Sequence, residues 1–410
     1  MQISLNWLKD FVKIPDNLDP KALANELTLK TAEVESVHSQ GKNLDGVVIG
    51  EILEIKKHPN ADKLNLAKVN IGKKKPLHLI FGSMVEMKVG NKIPVAVAPT
   101  TLPTGIHIEA KPMRGEMSEG MLCLDQELGL EKEGVSIHYF PNLKPGTPIT
   151  EALGLTDTIL EFDNKSLTHR PDLWGHYGIA REIAAITGQK IKPYSPSASF
   201  PEKGENFTVK IANPVISKRF AACIISNIKI AESPEWIKAR LLAAGTRPVN
   251  NIVDITNYVM LEYGQPMHAY DRKIVKTDTL IAEFAEKNQE IETIDHKKRR
   301  LTEKDMIVTN GKQFLGLAGI MGGFSSEISE ETTEIILEAA NWNPSLLRQT
   351  SVRLGLRSEA SQRFEKSLDP NMCPAAIKRA AELILQICPQ AKITSSLADI
   401  QAAETAIHGR

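Results

Sequence analysis

Three shortages bound what this 410-residue chain can be. It has no excess of either charge, since Lys plus Arg and Asp plus Glu are 50 each. A protein that holds nucleic acid by bulk charge is basic, so any RNA contact here must come from local patches. Cysteine is scarce: Cys123, Cys223, Cys373 and Cys388 are scattered, without a CxxC pair or a histidine at ligand spacing. They read as buried thiols in a reducing compartment and argue against a zinc site. No apolar run could span a bilayer, and the start, MQISLNWLKDF, lacks the features of a secretory leader. A cytoplasmic protein with no membrane association is expected. GxGxxG, GxxxxGKS/T and GxSxG are also missing, which removes the usual signals for nucleotide binding and a serine nucleophile. The length exceeds what one hydrophobic core serves, so two to four domains are expected.

What is present concentrates in residues 247–271, RPVNNIVDITNYVMLEYGQPMHAYD. Arg247, Asn250, Asn251, Asp254, Thr256, Asn257, His268 and Asp271 alternate with short apolar steps. Such a density of hydrogen-bonding groups points to a binding site, against a plain polar loop with a satisfied histidine. The turn GQPMH then presents His268. Residues 315–323, LGLAGIMGG, place four glycines in nine positions, letting backbone approach a ligand closely. Glu338 lies within an apolar strand, IILEAA, where a buried carboxylate is costly unless it has a partner or a role. Strict alternation would instead turn it to solvent. A metal-dependent hydrolase using His268, Asp271 and Glu338 is a further reading, against which stands the lack of a ligand-spaced histidine pair.

The remaining chain divides by texture. The first forty residues hold a helix capped by Asp19 with Pro20 at its first position. Residues 41–150 read as short strands and turns, an OB-like barrel with a sandwich as alternative. A switch in apolar phase within residues 64–71 predicts a bulge there. Residues 151–190 turn helical and stop at Gly188. Residues 191–206, with three prolines and three serines, read as a linker and a domain boundary. Residues 207–400 mix strands and helices without a βαβ rhythm, an α+β pattern. Within them Ser233-Pro234 is expected to cap a helix, and residues 295–300, DHKKRR, to form a solvated hairpin tip or an RNA-facing loop.

These stretches carry a resemblance. VVIGEILEIKKHPNADKLNLAKVNIG and PTTLPTGIHIEAKPMRGEMSEGMLCLDQELGL are similar to the tRNA-binding OB domain of bacterial phenylalanyl-tRNA synthetase β subunits. RPVNNIVDITNYVMLEYGQPMHAYD, GLAGIMGG, ILEAANWNP and RLGLRSEASQRFEKSLDP resemble the editing module of the same family, in the same order. One departure is LIFGSMVEMKVG, where such domains often carry a Cys-Gly-Ala-like turn. The resemblance covers essentially the whole chain and implies a multidomain α+β fold. In it, a small discontinuous α+β domain (residues 1–40 plus 151–190) encloses an OB-fold β-barrel (41–150), followed by an α+β editing domain (207–400). Family members are about twice this length, which implies a catalytic-like core and an anticodon-binding domain beyond the residues here.

The resemblance further implies a phenylalanine–tRNA ligase that works as an α2β2 assembly, using ATP and Mg2+ at a synthetic site on the α subunit. The present part would bind tRNA(Phe) and hydrolyse wrongly attached tyrosine, needing no cofactor or metal itself and existing alone as a monomer. A non-catalytic tRNA-binding scaffold is the alternative. Carried over by position, Glu338 would accept the tyrosine hydroxyl, with His268, Thr256 and Asn257 around substrate and water. Ala318, Gly319 and Pro266 would line the pocket, and Arg247 would lie near the RNA 3′ end. His58, Asn60, Lys63, Lys73, Lys74 and Lys75 are candidate tRNA contacts, although HPNADK also reads as a ligand-free turn knot. The polar stretch 355–365 is read as structural, its ion pairs holding the two parts of the module together, with a place near the tRNA end as the alternative.

Overall fold

The computed structural model describes residues 1–15, 18–41, 43–82, 86–130, 135–276 and 278–402. They form two compact units, Met1–Val37 with Leu160–Arg410, and His38–Ile159. The Ser83–Val85 part of the departing LIFGSMVEMKVG turn lies outside the described residues.

The His38–Ile159 unit is built on an antiparallel five-stranded sheet. Its order is Gly120–Leu122, Lys92–Val97, Val47–Lys57, Leu64–Asn70, Leu77–Gly82. The two edge regions come back together: Glu119 N donates to His78 O at 2.8 Å and Ile80 N to Ser118 Oγ at 3.1 Å. The sheet is therefore nearly closed, as an OB-like barrel requires. Curvature does come from a bulge, but on the neighbouring strand. The Leu64–Asn70 strand pairs regularly with Leu77–Gly82, whereas its pairing with Val47–Lys57 slips between Ile52 and Glu54. The extra residue, Leu53, stands on the exposed side. The phase switch in residues 64–71 records a bulge opposite it. Residues 149–155 also belong to this unit, where Ile149, Leu153 and Leu155 complete a core with Val47, Ile49 and Ala96.

The larger unit is mixed α/β. Asp19 caps the Pro20–Lys30 helix through Lys21 N, and the His176–Thr187 helix ends at Gly188, whose φ of 66° suits a residue without Cβ. Ser233 does not cap the Glu235–Ala243 helix, because its hydroxyl is committed to Asp254 at 2.6 Å. Residues 191–206 are not a free linker. Ile191 bridges Val12, Tyr194 donates to Ala375 O at 2.7 Å, Ser197 to Glu382 at 2.5 Å, and Glu205 bridges Ser395. One hydrophobic cluster accordingly runs unbroken from Ile3 to Ala391. The prolines set an extended path, and Tyr194 and Phe200 anchor it.

Two five-stranded sheets position the site. One has the order Met267–Asp271, Glu334–Trp342, Ser217–Ser226, Lys392–Ile393 along its path, with Ala398–Gln401 also paired to Ser217–Ser226. The other runs Thr208–Ile211, Thr279–Phe284, Met306–Thr309, Phe314–Leu317, Met321–Gly322. The first sheet is buried on both faces. Odd positions of its Glu334–Trp342 strand, Ile335, Leu337 and Ala339, pack with the Asn251–Tyr263 and Met372–Ile387 helices. Even positions, Ile336 and Ala340, share a core with Leu280, Ile307, Leu315 and Leu317 of the second sheet. Each fully buried Ile or Leu here contributes roughly 1.5–3 kcal/mol. Glu338 occupies the even phase, so it faces the second sheet.

Candidate active site between two sheets

The turn before His268 sets its position. Gly264 ends the Asn251–Tyr263 helix with a φ of 81°, and Pro266 follows. Buried Gln265 stitches the turn to the next strand, its Nε2 donating to Pro266 O and Ala340 O at 2.9 Å each. That fixes the register in which His268 stands directly opposite Glu338. Side chains alternate along a strand, so Tyr270 shares their face and Asp271 takes the opposite one. Asp271 instead caps the Arg272–Val275 helix and accepts the Thr332 hydroxyl at 2.5 Å. His268, Asp271 and Glu338 therefore do not converge, and the described residues contain no cluster of three potential metal ligands.

A cavity of about 240 Å³ opens on this face. Its polar wall is His268, Tyr270 and Glu338, and its apolar wall includes Ile294, Trp342 and Phe364. Backbone from residues 316–322 closes another side, with Ala318 and Gly319 among the lining residues and Pro266 at the edge. Glycine is needed there for space. A Cβ on Gly322 would come within 2.8 Å of His268 Cε1, and one on Gly319 within 2.5 Å of Trp342. Gly319 also has a φ of 67°. The cavity is of amino-acid size, below the ~300–1,000 Å³ of clefts for drug-sized ligands.

The polar wall is electrostatically unusual. Tyr270 donates to Glu338 Oε2 at 2.7 Å, and its ring meets His268 edge-on with centroids 4.5 Å apart. Burial pushes the Glu338 carboxyl up to about 7, although the Tyr270 hydrogen bond opposes the shift. Burial likewise drives His268 down to about 4, leaving a neutral imidazole at pH 7. The ring is half-buried overall, while its Nε2 is shielded and without a hydrogen-bond partner among the described residues. An orphaned buried nitrogen beside a perturbed carboxylate is the arrangement expected where a ligand completes the bonding.

The other polar groups of residues 247–271 hold the scaffold. Asn250 caps the helix through Ile252 N and Val253 N. Asn251 Nδ2 donates to Lys229 O at 2.9 Å, and Asp254 accepts from Ser233 and from Val249 N. Thr256 donates to Val253 O within its own helix at 2.7 Å. Thr256, half-buried Asn257 and exposed Arg247 lie off the cavity lining. Thr256 and Asn257 fall on a helix that covers the other face of the sheet, and Arg247 lies ahead of that helix's cap, Asn250; residue type alone reveals neither.

Tyr270, Trp342, Ser358, Ala360 and Phe364 line the cavity without having been singled out as site residues in the sequence. Tyr270 was within reach, because a strand through HAYD puts positions 268 and 270 on one face. The 355–365 stretch does have a structural role. Ser358 forms a reciprocal capping box with Ser361 and donates to Ile320 O at 2.9 Å, and fully buried Arg363 donates to Trp174 O at 3.0 Å. Residues 295–300 belong to the hairpin Glu290–Glu292/Lys298–Arg300, whose tip carries an Asp295–Arg299 ion pair at 2.7 Å.

In the barrel, HPNADK is a knot. His58 Nδ1 accepts from Asn60 N at 3.0 Å while its Nε2 bonds Met113 O at 3.1 Å, and Asn60 donates to Arg114 O at 2.9 Å. Lys63 and Lys73 to Lys75 are exposed.

Two family models match parts of this chain. Residues 47–148 match a family model for a tRNA binding domain, and residues 216–389 one for a B3/4 domain. The chain is 40% identical over 395 residues to the phenylalanine–tRNA ligase β subunit of Clostridium acetobutylicum, covering 94% of this chain and 49% of that protein. It is 41% identical over 396 residues to the Bacillus subtilis β subunit, covering 94% and 48%. It thus spans about half the length of the curated relatives it matches. Among solved structures, an N-terminal fragment of the phenylalanyl-tRNA synthetase β subunit from Pyrococcus horikoshii is 15% identical, with a TM-score of 0.28. The match covers 50% of this chain and 62% of that one, a likeness too slight to argue from.

Proposed function

Over the residues it shares with them, the chain belongs to the family of phenylalanine–tRNA ligase β subunits, and on that premise we propose that it edits mischarged tRNA. In this reading residues 207–400 hydrolyse the ester of tyrosine attached to tRNA(Phe), and the barrel of residues 41–150 contributes to holding the RNA. The observation that carries it is Glu338, a carboxylate turned into an amino-acid-sized cavity beside a histidine with an unpartnered nitrogen.

The chemistry follows from those groups. Tyr270 holds one carboxylate oxygen of Glu338, and the other accepts the phenol hydroxyl of a tyrosyl ester. Phenylalanine brings no hydroxyl and leaves the buried carboxylate short of a partner. Sites built this way reject the analogue lacking the hydroxyl by about 10⁴-fold or more. A hydrophobic synthetic pocket rejects an added hydroxyl by only about a hundredfold, so this cavity reads the group that synthesis reads poorly. Backbone at Ala318–Gly319 packs close to the bound amino acid. Neutral His268 offers Nε2 as acceptor for a water proton and orients that water toward the ester carbonyl. The water's oxygen bonds to the carbonyl carbon, and the tRNA ribose oxygen leaves with a proton.

The whole ligase, in this reading, pairs the β subunit with an α subunit that joins phenylalanine to tRNA(Phe) using ATP and Mg2+. No residue here is assigned to that step. A cytoplasmic setting suits the four buried, free thiols. The test is hydrolysis of Tyr-tRNA(Phe) and Phe-tRNA(Phe) by the chain and by Glu338→Ala. The parent is expected to release tyrosine faster and the variant to lose that preference. A variant indistinguishable from the parent would sink the assignment and leave a non-catalytic tRNA-binding scaffold.

A further inference from the structure

A second cavity, of about 450 Å³, lies in the same unit, behind the short helix that walls the first. The Glu359–Phe364 helix has Ala360 and Phe364 on the first cavity, with Ser358 just before it. Arg357 and Lys366, on its two flanks, line the second. Ala360 and Phe364 of that helix line one cavity and residues at both its flanks line the other, and an α-helix with its side chains is about 10–12 Å across. The second cavity differs in charge. Lys165, Arg348, Arg357 and Lys366 line it, against the single carboxylate of Glu365 among its described lining.

That carboxylate is already engaged. Lys366 Nζ lies 2.8 Å from Glu365 Oε1 and also sits over the Trp174 ring, 5.6 Å from its centroid. Arg357 reaches the same carboxylate only at 3.8 Å and is largely exposed. Arg348 and Lys165 are exposed and have no ion-pair partner among the described residues. Four cations therefore line one concavity against a single carboxylate, which Lys366 and Arg357 share. Guanidinium forks match phosphate oxygens bidentately, and a concave wall strengthens the attraction over that of scattered surface cations.

We propose that this cavity is a phosphate site for the RNA strand whose 3′ end delivers its ester to the neighbouring cavity. Arg348 and Arg357 grip the backbone phosphates, and Lys165 adds charge at the rim. The proposal rests on the editing reading above for the identity of the strand, while the phosphate chemistry stands on the cavity itself. It explains why cations flank a helix whose cavity-lining residues, Ala360 and Phe364, are uncharged: the ester enters one cavity while the strand carrying it is held in the other.

The test uses the full 410-residue chain and a fluorescent single-stranded RNA hexamer ending in CCA, with affinity measured across a salt series. R348E/R357E is expected to weaken binding by about tenfold or more. It should also reduce the log–log salt slope by about 1.4, near 0.7 for each of two phosphates no longer neutralised. R348K/R357K is expected to retain most of both, which separates lost charge from lost folding. A parent that binds the hexamer no more tightly than R348E/R357E, with the same slope, overturns the proposal. So does a variant that loses only inorganic phosphate, measured by calorimetry, while RNA binding is unchanged; the cavity would then be a small-anion site. If the parent hydrolyses no tyrosyl ester but the slope difference appears, the hydrolytic reading fails with the identity it gave the strand, and the RNA-phosphate site stands.

Discussion

His58 in the barrel, at the end of a strand and ahead of a turn, and His268 between the two sheets, just after a bend, both have shielded ring nitrogens, and they are used in opposite ways. Both His58 nitrogens are taken by the chain, one by Asn60 N and the other by Met113 O. His268 keeps Nε2 unpartnered among the described residues and faces a cavity shared with Glu338. A buried polar group satisfied at home contributes to stability, and one left waiting for a partner costs stability until a ligand arrives. The contrast teaches that a polar residue's role is decided by where its hydrogen bonds go.

The strongest way to break the contrast is Glu338→Ala. It should cut the preference for tyrosyl over phenylalanyl ester by roughly 10²–10⁴-fold, read from the two hydrolysis rates. Unchanged selectivity would make the cavity as silent as the barrel knot.

A pH comparison sharpens it further. The folded-state value of Glu338 is raised from 4.5 to about 7, so the folded chain prefers the protonated acid. The cost of ionising it is absent below about pH 4.5 and complete above about pH 7. Glu338→Gln should therefore stabilise the chain at pH 8 by up to ~3 kcal/mol and leave it little changed at pH 4.5, measured by urea unfolding. His268 contributes the opposite slope: its value falls from 6.5 to about 4, so its stability is present above pH 6.5 and lost as pH falls toward 4. Subtracting variant from parent isolates the Glu338 part. A gain at pH 4.5 that vanishes at pH 8 would refute the sign.

For the barrel, His58→Ala should cost ~2 kcal/mol in unfolding free energy, because it leaves Asn60 N and Met113 O without their partner. Ester hydrolysis per folded molecule should stay the same. Weaker RNA binding with unchanged stability would instead make His58 a contact residue and erase the contrast.

Gly322→Ala should slow tyrosyl-ester hydrolysis about tenfold, because the new methyl meets the His268 ring at 2.8 Å and must displace it. The smallest effects belong to Thr256→Ala and Asn257→Ala, expected to stay within about twofold of the parent rate because both positions lie off the cavity lining. A tenfold loss at either would bring that helix back into the site.

Much of this architecture could be read from residue order. Asp19-Pro20 and Gly188 delimit helices because cap chemistry is local. Glu338, His268 and the 315–323 glycines were legible as site candidates because charge, a turn and missing side chains are conspicuous in an apolar context. Thr256, Asn257 and Arg247 went the other way. Their polarity is equally conspicuous, but a helix carries Thr256 and Asn257 on the side of the sheet away from the cavity, and Arg247 stands exposed ahead of that helix. The 191–206 stretch shows the same limit, since its prolines describe an extended path and not whether Tyr194 and Phe200 find a core to join.

The sequence alone determined the elements, their caps and the residue types that cavity chemistry requires, because each depends on neighbours a few positions away. Tertiary structure decided which of the two packed faces of the Glu334–Trp342 strand carries the cavity. Both of its faces are apolar, so alternation could not say whether Glu338 meets solvent, helices or the second sheet. Only the register that pairs Glu338 with His268, and the packing of the glycine-rich strands over them, leaves a carboxylate and an imidazole facing one cavity.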